Sequence, residues 1–199
     1  NPKTINDKSL VKKYLKMIKD ENERMHDQVE NVLMISQLEK KELNIDKTSL
    51  DLNELIKIAV SHVQLLLENK KGSINLKLNA DKSEIYGNET HLTNVIINII
   101  DNAIKYCDKK PNIEVVTENI DDKIVMKIQD NGVGMSKNVQ NKIFDKFYRE
   151  HTGDLHNIKG HGLGLAYVKK IVDYHNGKID LESVVGEGSL FSIELYTNK

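Results

Sequence analysis

The sequence has no tryptophan, two prolines and one cysteine, Cys107, and neither sign of charge dominates. A single cysteine permits no internal disulfide, which suits a reducing compartment. A formal net charge of -1 gives no global field that would attract nucleic acid or anionic lipid. No apolar run approaches the roughly 20 residues of a membrane span, and residues 1–7 lack the basic-then-apolar order of a signal peptide. We therefore expect a cytoplasmic protein that binds no nucleic acid.

The first 45 residues have the pattern of one amphipathic helix. Apolar residues recur at alternating spacings of three and four from Val11 to Val32, and charged residues separate them. This pattern predicts a helix over residues 9–43 whose narrow apolar seam suits another helix. No second long helix precedes it in the sequence, so we expect another chain, or an N-terminal part not included, to cover the seam.

Residues 46–199 alternate between short strand and helix patterns, and the composition of the chain, 39% hydrophobic and 30% charged, is ordinary for a globular protein. The order predicts an α+β two-layer sandwich, in which helices cover one face of a mixed β-sheet, after the long N-terminal α-helix. A polar, irregular stretch is expected over residues 131–159. The predicted strands are 49–52, 74–78, 113–117, 123–128, 179–183 and 190–195, and the predicted helices are 53–68, 89–107 with Asn88 as N-cap, and 163–175.

One predicted helix carries a polar face. Asn98, Asn102 and Lys105 stand at i, i+4 and i+7, so they share one side of the helix. Two amide oxygens and an ammonium group suit a hydrated magnesium ion and phosphate oxygens. A polar stripe that faces solvent explains the same spacing, and the pattern alone leaves both interpretations open.

Two glycine-containing segments follow. Asp130 ends a predicted strand and precedes Gly132 and Gly134, so its carboxylate either points into a pocket or belongs to a plain turn. Residues 160–165 open a helix, where backbone N–H groups favour anions such as phosphate. The P-loop pattern and the dinucleotide fingerprint are absent from the sequence. Between these segments, the aromatic residues of 144–149 are expected to anchor a loop to the core.

Taken together, these segments resemble the nucleotide-binding domain of bacterial sensor histidine kinases, within the superfamily shared with gyrase, heat-shock chaperones and mismatch-repair ATPases. The resemblance covers about residues 48–195. Residues 186–191 match the closing hairpin of the family, where Ser189 would lie near the adenine. The family's asparagine box, first glycine box, aromatic box and second glycine box correspond to residues 98–106, 130–134, 144–149 and 160–165.

The resemblance implies that ATP and Mg²⁺ are the ligands. Asp130 would accept a hydrogen bond from the adenine amino group, Asn102 with Asn98 would hold magnesium, and Lys105 would meet a phosphate. Asn98 and Lys105 are the implied catalytic residues, and Tyr106 would border the nucleotide. The other implied nucleotide-binding residues are Gly132, Gly134, Lys159, Gly160, His161, Gly162, Leu163, Gly164, Leu165 and Ser189. The segment 148–162 would close over the triphosphate.

The residue at position 98 separates a kinase from a hydrolase. Hydrolysing relatives carry a glutamate four residues before the metal-binding asparagine, as the base that deprotonates water, and this chain has Asn98 there. An amide cannot take that proton. The resemblance therefore implies transfer of the γ-phosphoryl group to a histidine imidazole.

The N-terminal helix is similar to the second helix of the family's dimerisation and phosphotransfer hairpin. The first helix, with its phosphoacceptor histidine, is not in the sequence, and His26 does not stand in the family's His-Glu/Asp-x-x-x-Pro pattern. We therefore expect that this fragment cannot phosphorylate itself. The resemblance implies a cognate response regulator as partner and a homodimer formed through the hairpin. It also implies a whole protein that is membrane-anchored through segments outside this sequence.

Two alternatives stay open at this point. The domain could be a degenerate nucleotide-binding scaffold without kinase activity, although every motif position carries a suitable residue. It could also be a serine kinase of the anti-sigma-factor type, which shares the nucleotide fold but does not need the long helix. The histidines at 151, 156 and 161 suggest a metal site only weakly, and a solvated loop is the simpler explanation.

Overall fold

The chain divides into two compact units, Asn1–Leu43 and Asn44–Lys199. The structure, a computed structural model, describes residues 46–149 and 162–197 and, nearer the N terminus, 10–12, 14–19, 21, 22, 25 and 29. The described residues of the first unit are all helical, but most of the predicted helix over 9–43 lies outside them. Among the described helices, none combines the length and apolar character needed to cross a membrane.

The second unit contains seven strands and four helices in its described part. The strands are β1 (Thr48–Asp51), β2 (Ser73–Leu78), β3 (Glu84–Gly87), β4 (Asn112–Ile120), β5 (Lys123–Gln129), β6 (Lys178–Val184) and β7 (Gly188–Tyr196). The helices are α1 (Leu52–Asn69), α2 (Glu89–Lys105), α3 (Lys137–Gln140) and α4 (Gly164–Tyr174). Strands β2, β4, β5, β7 and β6 form one sheet in that order, and β1 pairs with β3 in a separate two-stranded sheet.

The large sheet is mixed, as predicted. Strands β2 and β4 are parallel, and the β4–β5, β5–β7 and β6–β7 pairs are antiparallel. The β4–β5 hairpin turns at Asp121, whose φ of 55° is a left-handed conformation that Asp tolerates in turns. Strand β5 therefore lies at the centre of the sheet, and the residue that follows it, Asp130, lies between the ends of neighbouring strands.

The two faces of the sheet have opposite character. On β4, Ile113, Val115 and Thr117 are fully buried while the residues between them are not. The other face carries cross-strand ion pairs, such as Lys123 with Glu194 at 2.8 Å. This alternation is typical of a sheet with one face on a core and one in solvent. Helices α1, α2 and α4 supply the other half of that core, which confirms the predicted two-layer α+β fold.

Local signals in the sequence define the helix ends. Asn88 is the N-cap of α2, and its side chain accepts a hydrogen bond from the backbone N–H of His91. At the other end of α2, the ammonium group of Lys70 donates to the carbonyl oxygens of Ile104 at 2.7 Å and of Cys107 at 3.0 Å. A cation at this position complements the helix dipole and satisfies carbonyls that lack a helical partner. Both ends of the helix with the predicted polar face are therefore fixed.

The sequence-based element predictions differ from the structure at four places. Leu52 begins α1 instead of ending β1, because the Asp51 carboxylate accepts from the N–H groups of Asn53 and Glu54. Strand β3 was not predicted, and it forms by pairing with β1. The stretch predicted to be irregular contains α3, capped by Ser136. Helix α2 ends at Lys105, two residues before the predicted end.

A buried histidine links the end of α4 to the start of α2. The Nδ1 atom of His175 lies 2.7 Å from the carbonyl oxygen of Ile171, so Nδ1 carries the proton. The Nε2 atom accepts a hydrogen bond of 3.1 Å from the backbone N–H of Asn88. The imidazole is therefore neutral, and burial lowers the pKa of His175, with the hydrogen bond to Ile171 acting in the opposite direction.

We expect the domain to lose stability as the pH falls below 6.5, the ordinary histidine pKa. The folded pKa of His175 is lowered, so its contribution is complete above 6.5 and is lost as the unfolded state takes up the proton first. Urea unfolding between about pH 8 and about pH 5 measures this slope. The His175→Gln variant should show a smaller slope, with a remainder from His91, whose pKa burial also lowers. Equal slopes would contradict the assigned protonation state.

Candidate functional site

The polar face of α2 lies where the sequence predicts it. Asn98, Asn102 and Lys105 are all on the side of α2 that is not packed into the core. The ammonium group of Lys105 forms an i,i+4 ion pair with the carboxylate of Asp101. This ion pair was not predicted from the sequence. Because of the pair, the charge of Lys105 already has a counter-ion, which an incoming anion would displace.

The side chain of Asn98 has a fixed orientation. Its Nδ2 donates to the backbone oxygen of Asn94, one turn earlier, at 2.8 Å. Its Oδ1 faces the first residue of α4, because a β-carbon placed on Gly164 would lie 2.6 Å from this oxygen. Glycine is the residue that leaves room for Asn98 at this position. The contact brings the second glycine segment against the asparagine-bearing helix.

The buried carboxylate of Asp130 is 8% exposed and lies at the end of β5. Its Oδ1 accepts two backbone hydrogen bonds, from Gly132 at 2.7 Å and from Ser189 at 3.2 Å. Burial raises the pKa of Asp130, and the two backbone donors act in the opposite direction. Within the described part of the chain, both bonds go to one oxygen, so Oδ2 is left for another donor.

Two glycines allow strand ends to approach each other around Asp130. Gly134 has a φ of 66°, and a β-carbon there would lie 1.9 Å from the carbonyl oxygen of Val184. Gly188 has a φ of 125°, and a β-carbon there would lie 2.0 Å from the carbonyl oxygen of Asp130. Both the backbone conformation and the available space require glycine. The first glycine segment and the closing hairpin are therefore in direct contact.

The same region includes the end of α2 and two serines. Tyr106, the C-cap of α2, accepts a hydrogen bond from the N–H of Val133 at 3.0 Å. Ser189 is buried, and its hydroxyl lies 3.0 Å from that of Ser183. Ser183 also accepts from the N–H of Met135 at 2.8 Å. Sequence reasoning missed Ser183, although a serine at an inward-facing position of β6 is a signal that it could have used.

The start of α4 contacts the aromatic segment. Gly162 has a φ of 68°, and its carbonyl oxygen accepts from the N–H of Phe147 at 2.9 Å. Leu163 is buried, and Leu165 is half-buried. The expectation that the aromatic side chains anchor this loop is wrong for Phe147, which is 65% exposed. The backbone hydrogen bond makes the connection instead.

Several predicted residues lie outside the described residues. These are Lys159, Gly160 and His161, together with most of the segment expected to close over the ligand and the other two histidines at 151 and 156. Their roles stay predictions.

Cys107 is buried, with its Sγ 3.5 Å from Oδ1 of Asn131.

Comparison with known families agrees with this arrangement. Residues 87–199 match the model of the family described as "Histidine kinase-, DNA gyrase B-, and HSP90-like ATPase". The chain belongs to this family. The match begins at the end of β3 and contains α2, Asp130 and the closing hairpin, and therefore all of the described residues that form the site.

Two curated relatives of this family member are sensor proteins. The chain is 45% identical over 183 residues to sensor protein RprX of Bacteroides fragilis, covering 90% of this chain and 35% of the relative. It is 31% identical over 198 residues to sensor protein kinase WalK of Staphylococcus aureus, covering 95% of this chain and 46% of the relative. The chain thus spans less than half the length of these relatives. The predicted resemblance to sensor histidine kinases is confirmed.

Solved structures show the same fold in other family members. The Acinetobacter baumannii histidine kinase AdeS matches with a TM-score of 0.76 and 24% identity, covering 97% of this chain and 86% of that one. Full-length ShkA in complex with AMPPNP has a TM-score of 0.82 and 19% identity, covering 94% and 39%. Histidine kinase ThkA in complex with response regulator protein TrrA has a TM-score of 0.73 and 23% identity, covering 97% and 53%.

We expect Gly164→Ala to displace the Asn98 side chain from its position in this ATPase-family fold. The added methyl group would overlap with Oδ1 of Asn98, so that side chain must move and give up its hydrogen bond to the backbone oxygen of Asn94. The loss costs about 0.5–1.5 kcal/mol of the free energy of unfolding, against which alanine gains from its higher helix propensity. In an Asn98→Ser background the shorter side chain leaves room, so the same alanine should cost less than half as much. Urea unfolding of the four proteins checks this. Equal costs in both backgrounds would show that the two residues do not meet.

Proposed function

We propose that residues 46–199 bind ATP with Mg²⁺ and transfer the γ-phosphoryl group to a histidine of a phosphotransfer helix. The observation that carries the proposal is the position of Asp130, a buried carboxylate with one oxygen used by backbone donors. A buried acceptor of this kind is suited to an amino group of a planar ligand. The ATPase family membership and the sensor kinases among the relatives support the same conclusion.

The base end of the proposed site selects adenine. Oδ2 of Asp130 accepts from the adenine amino group, whereas guanine presents a carbonyl oxygen at the equivalent position, which the carboxylate repels. Ser189 and Gly132, whose N–H groups hold Oδ1, keep the carboxylate in place. Tyr106 is 42% exposed and borders the bound nucleotide beside the glycine segment.

The residues on α2 fit a magnesium ion and phosphates. Carboxamide oxygens are suitable ligands for Mg²⁺, and the fixed Nδ2 of Asn98 presents Oδ1 as the acceptor. Asn102, one turn further on, and Asn98 would hold the ion, which neutralises charge on the phosphates when it is bound. Lys105 exchanges Asp101 for a phosphate. In this proposal the phosphates are also bound by Lys159 and by residues 160–165, which include Gly160, His161 and Gly164.

The acceptor of the phosphoryl group is a histidine rather than water. Hydrolysis needs a base at position 98, where this chain has an amide. The nearby carboxylate, Asp101, precedes Asn102 by one residue and therefore points about 100° away from it around the helix, so it is a poor substitute. We infer that the acceptor imidazole belongs to a helix that pairs with the N-terminal helix of this chain, in a homodimer.

The proposed partner of the whole protein is a cognate response regulator. The complex of ThkA with the response regulator TrrA gives a precedent within the same fold. The chain represents 35% of the length of RprX, so signal detection and membrane attachment belong to other parts of the parent protein. The catalytic unit itself works in the cytoplasm in this proposal.

We expect Asp130→Asn to weaken ATP binding by about 1.5–3 kcal/mol, the contribution of a hydrogen bond to a charged group. Asparagine keeps an oxygen for the N–H groups of Gly132 and Ser189, and it turns an NH₂ group towards the adenine amino group. Titration calorimetry with ATP and GTP measures the effect, and the preference for ATP should shrink or reverse. The control is Asp122→Asn, which makes the same charge change at the opposite end of β5.

The wild-type protein provides the decisive comparison for this assignment. Equal affinity for ATP and GTP would refute the role of Asp130 in selecting adenine. An absence of nucleotide binding would favour the scaffold alternative. Circular dichroism melting of both variants shows whether the fold is retained.

We also expect Asn102→Ala to remove the gain in nucleotide affinity that magnesium gives, while metal-free binding stays the same. With γ-labelled ATP, the wild-type chain should label a longer copy of the parent protein that supplies the phosphoacceptor helix and carries both Asp130→Asn and Asn102→Ala, so that it cannot label itself, and the Asn102→Ala chain should not. Asn138→Ala, an exposed amide on α3, is the matched control. Strong self-labelling of this fragment alone would contradict the proposed acceptor.

A further inference from the structure

A buried polar cluster links α2 and α4 one turn away from the Asn98–Gly164 contact. Tyr167, on α4, is 2% exposed. Its hydroxyl lies 3.0 Å from Nδ1 of His91 and 3.5 Å from the carbonyl oxygen of His91, both on α2. The side chain of Asn94, also on α2, lies near the same hydroxyl and acts against the effect of burial on the pKa of Tyr167. The tyrosine oxygen on α4 is therefore held by His91 of the neighbouring helix.

The members of the cluster are neutral at ordinary pH. Burial raises the pKa of Tyr167 and lowers the pKa of His91, so neither side chain carries a charge. A neutral imidazole offers one ring nitrogen as an acceptor. The hydroxyl can therefore donate to Nδ1 of His91, which lies 3.0 Å away. A directional hydrogen bond of this kind fixes a position more closely than apolar packing, because its strength falls steeply with misalignment.

The cluster and the proposed site share one helix face. His91, Asn94 and Asn98 stand at i, i+3 and i+7 on α2. The backbone oxygen of Asn94 accepts the hydrogen bond that orients Asn98. On α4, Tyr167 follows Gly164 by one turn. The contact between α2 and α4 at Tyr167 therefore lies one helical turn from the contact between the same two helices at Asn98.

We propose that Tyr167 is a positioning residue for Asn98: its hydroxyl, held by His91 beside Asn94, sets the separation of α2 and α4 at which Oδ1 of Asn98 fits against Gly164. This inference rests on the proposed function, because it assigns the cluster to the phosphate and metal end of the ATP site. Tyrosine at this position acts through Asn98 and does not touch the ligand. The remote Asp130 end of the site does not depend on it.

The Tyr167→Phe variant tests the inference, because it removes only the hydroxyl and keeps the buried ring. NMR of the ligand-free protein should show that the side-chain amide of Asn98 and the backbone amide of Gly164 change their resonance positions. The gain in ADP affinity on addition of Mg²⁺ should fall about three- to tenfold, as expected for one neutral hydrogen bond. Metal-free ADP affinity, which depends on Asp130, should stay within about twofold.

The matched control is Val172→Ala. Val172 is fully buried on the same helix, two turns beyond Gly164, so its truncation lowers stability without touching the cluster. It should leave the Asn98 amide resonances and the magnesium-dependent gain unchanged. A second variant, His91→Leu, removes the ring nitrogen from the other partner and should move the same resonances as Tyr167→Phe.

The outcomes separate this inference from the proposed function. If the wild-type chain gains no ADP affinity from Mg²⁺, the proposed function fails, whereas the ligand-free spectra still test the positioning role. Unchanged Asn98 resonances in both Tyr167→Phe and His91→Leu would overturn the inference. A magnesium-dependent gain that Val172→Ala reduces as much as Tyr167→Phe does would also overturn it, since a loss of stability alone would then explain the effect.

Discussion

The contact between Asn98 and Gly164 is the constraint on which the rest of the site depends. It joins two helices that are far apart in the sequence, and it leaves no space for a β-carbon on the second one. The groups at this contact are held in place by other hydrogen bonds. The backbone of α2 orients the Asn98 amide, and Lys70 and His175 hold the two ends of that helix. The α2 residues at the phosphate and metal end of the proposed site are therefore held by rigid elements. Their geometry follows from helix packing.

The opposite end of the site is built from the sheet. The carboxylate of Asp130 stands between a glycine turn and the start of β7, where backbone N–H groups fix one of its oxygens. The two ends thus differ in construction: side chains on helices form the end that we assign to phosphate, and a strand end forms the end that we assign to the base. Because the sheet and the helices form one core, the separation between the ends is set by the packing of the two layers. Such a preformed site limits the ordering that a ligand must undergo when it binds.

Much of this architecture could be predicted from the sequence because its signals are local. Alternation identified β4, β5 and β7, the Asn88 cap identified the start of α2, and the four ordered segments identified the family. Other features have no local signal. The hydroxyl of Tyr167 and the ring of His91 come together only in the folded chain, 76 residues apart. Strand β3 and helix α3 are four residues each, too short for a period to emerge. The ion pair of Lys105 with Asp101 does have a local signal, its i,i+4 spacing, but the sequence-based prediction assigned Lys105 to phosphate alone.

The strand order has a consequence for how the protein is made. Asp130 and Ser189, which meet through β5 and β7, are 59 residues apart in the chain, and β7 follows the other six described strands in sequence order. The central strand β5 has only β4 beside it until β7 is synthesised. The end of the site around Asp130 is therefore completed after the asparagine helix, since loop closure over such a distance must precede the pairing. A nascent chain that stops before residue 188 would have the complete asparagine helix but no β7 beside Asp130, so under the proposed function it would bind adenine only after β7 has docked.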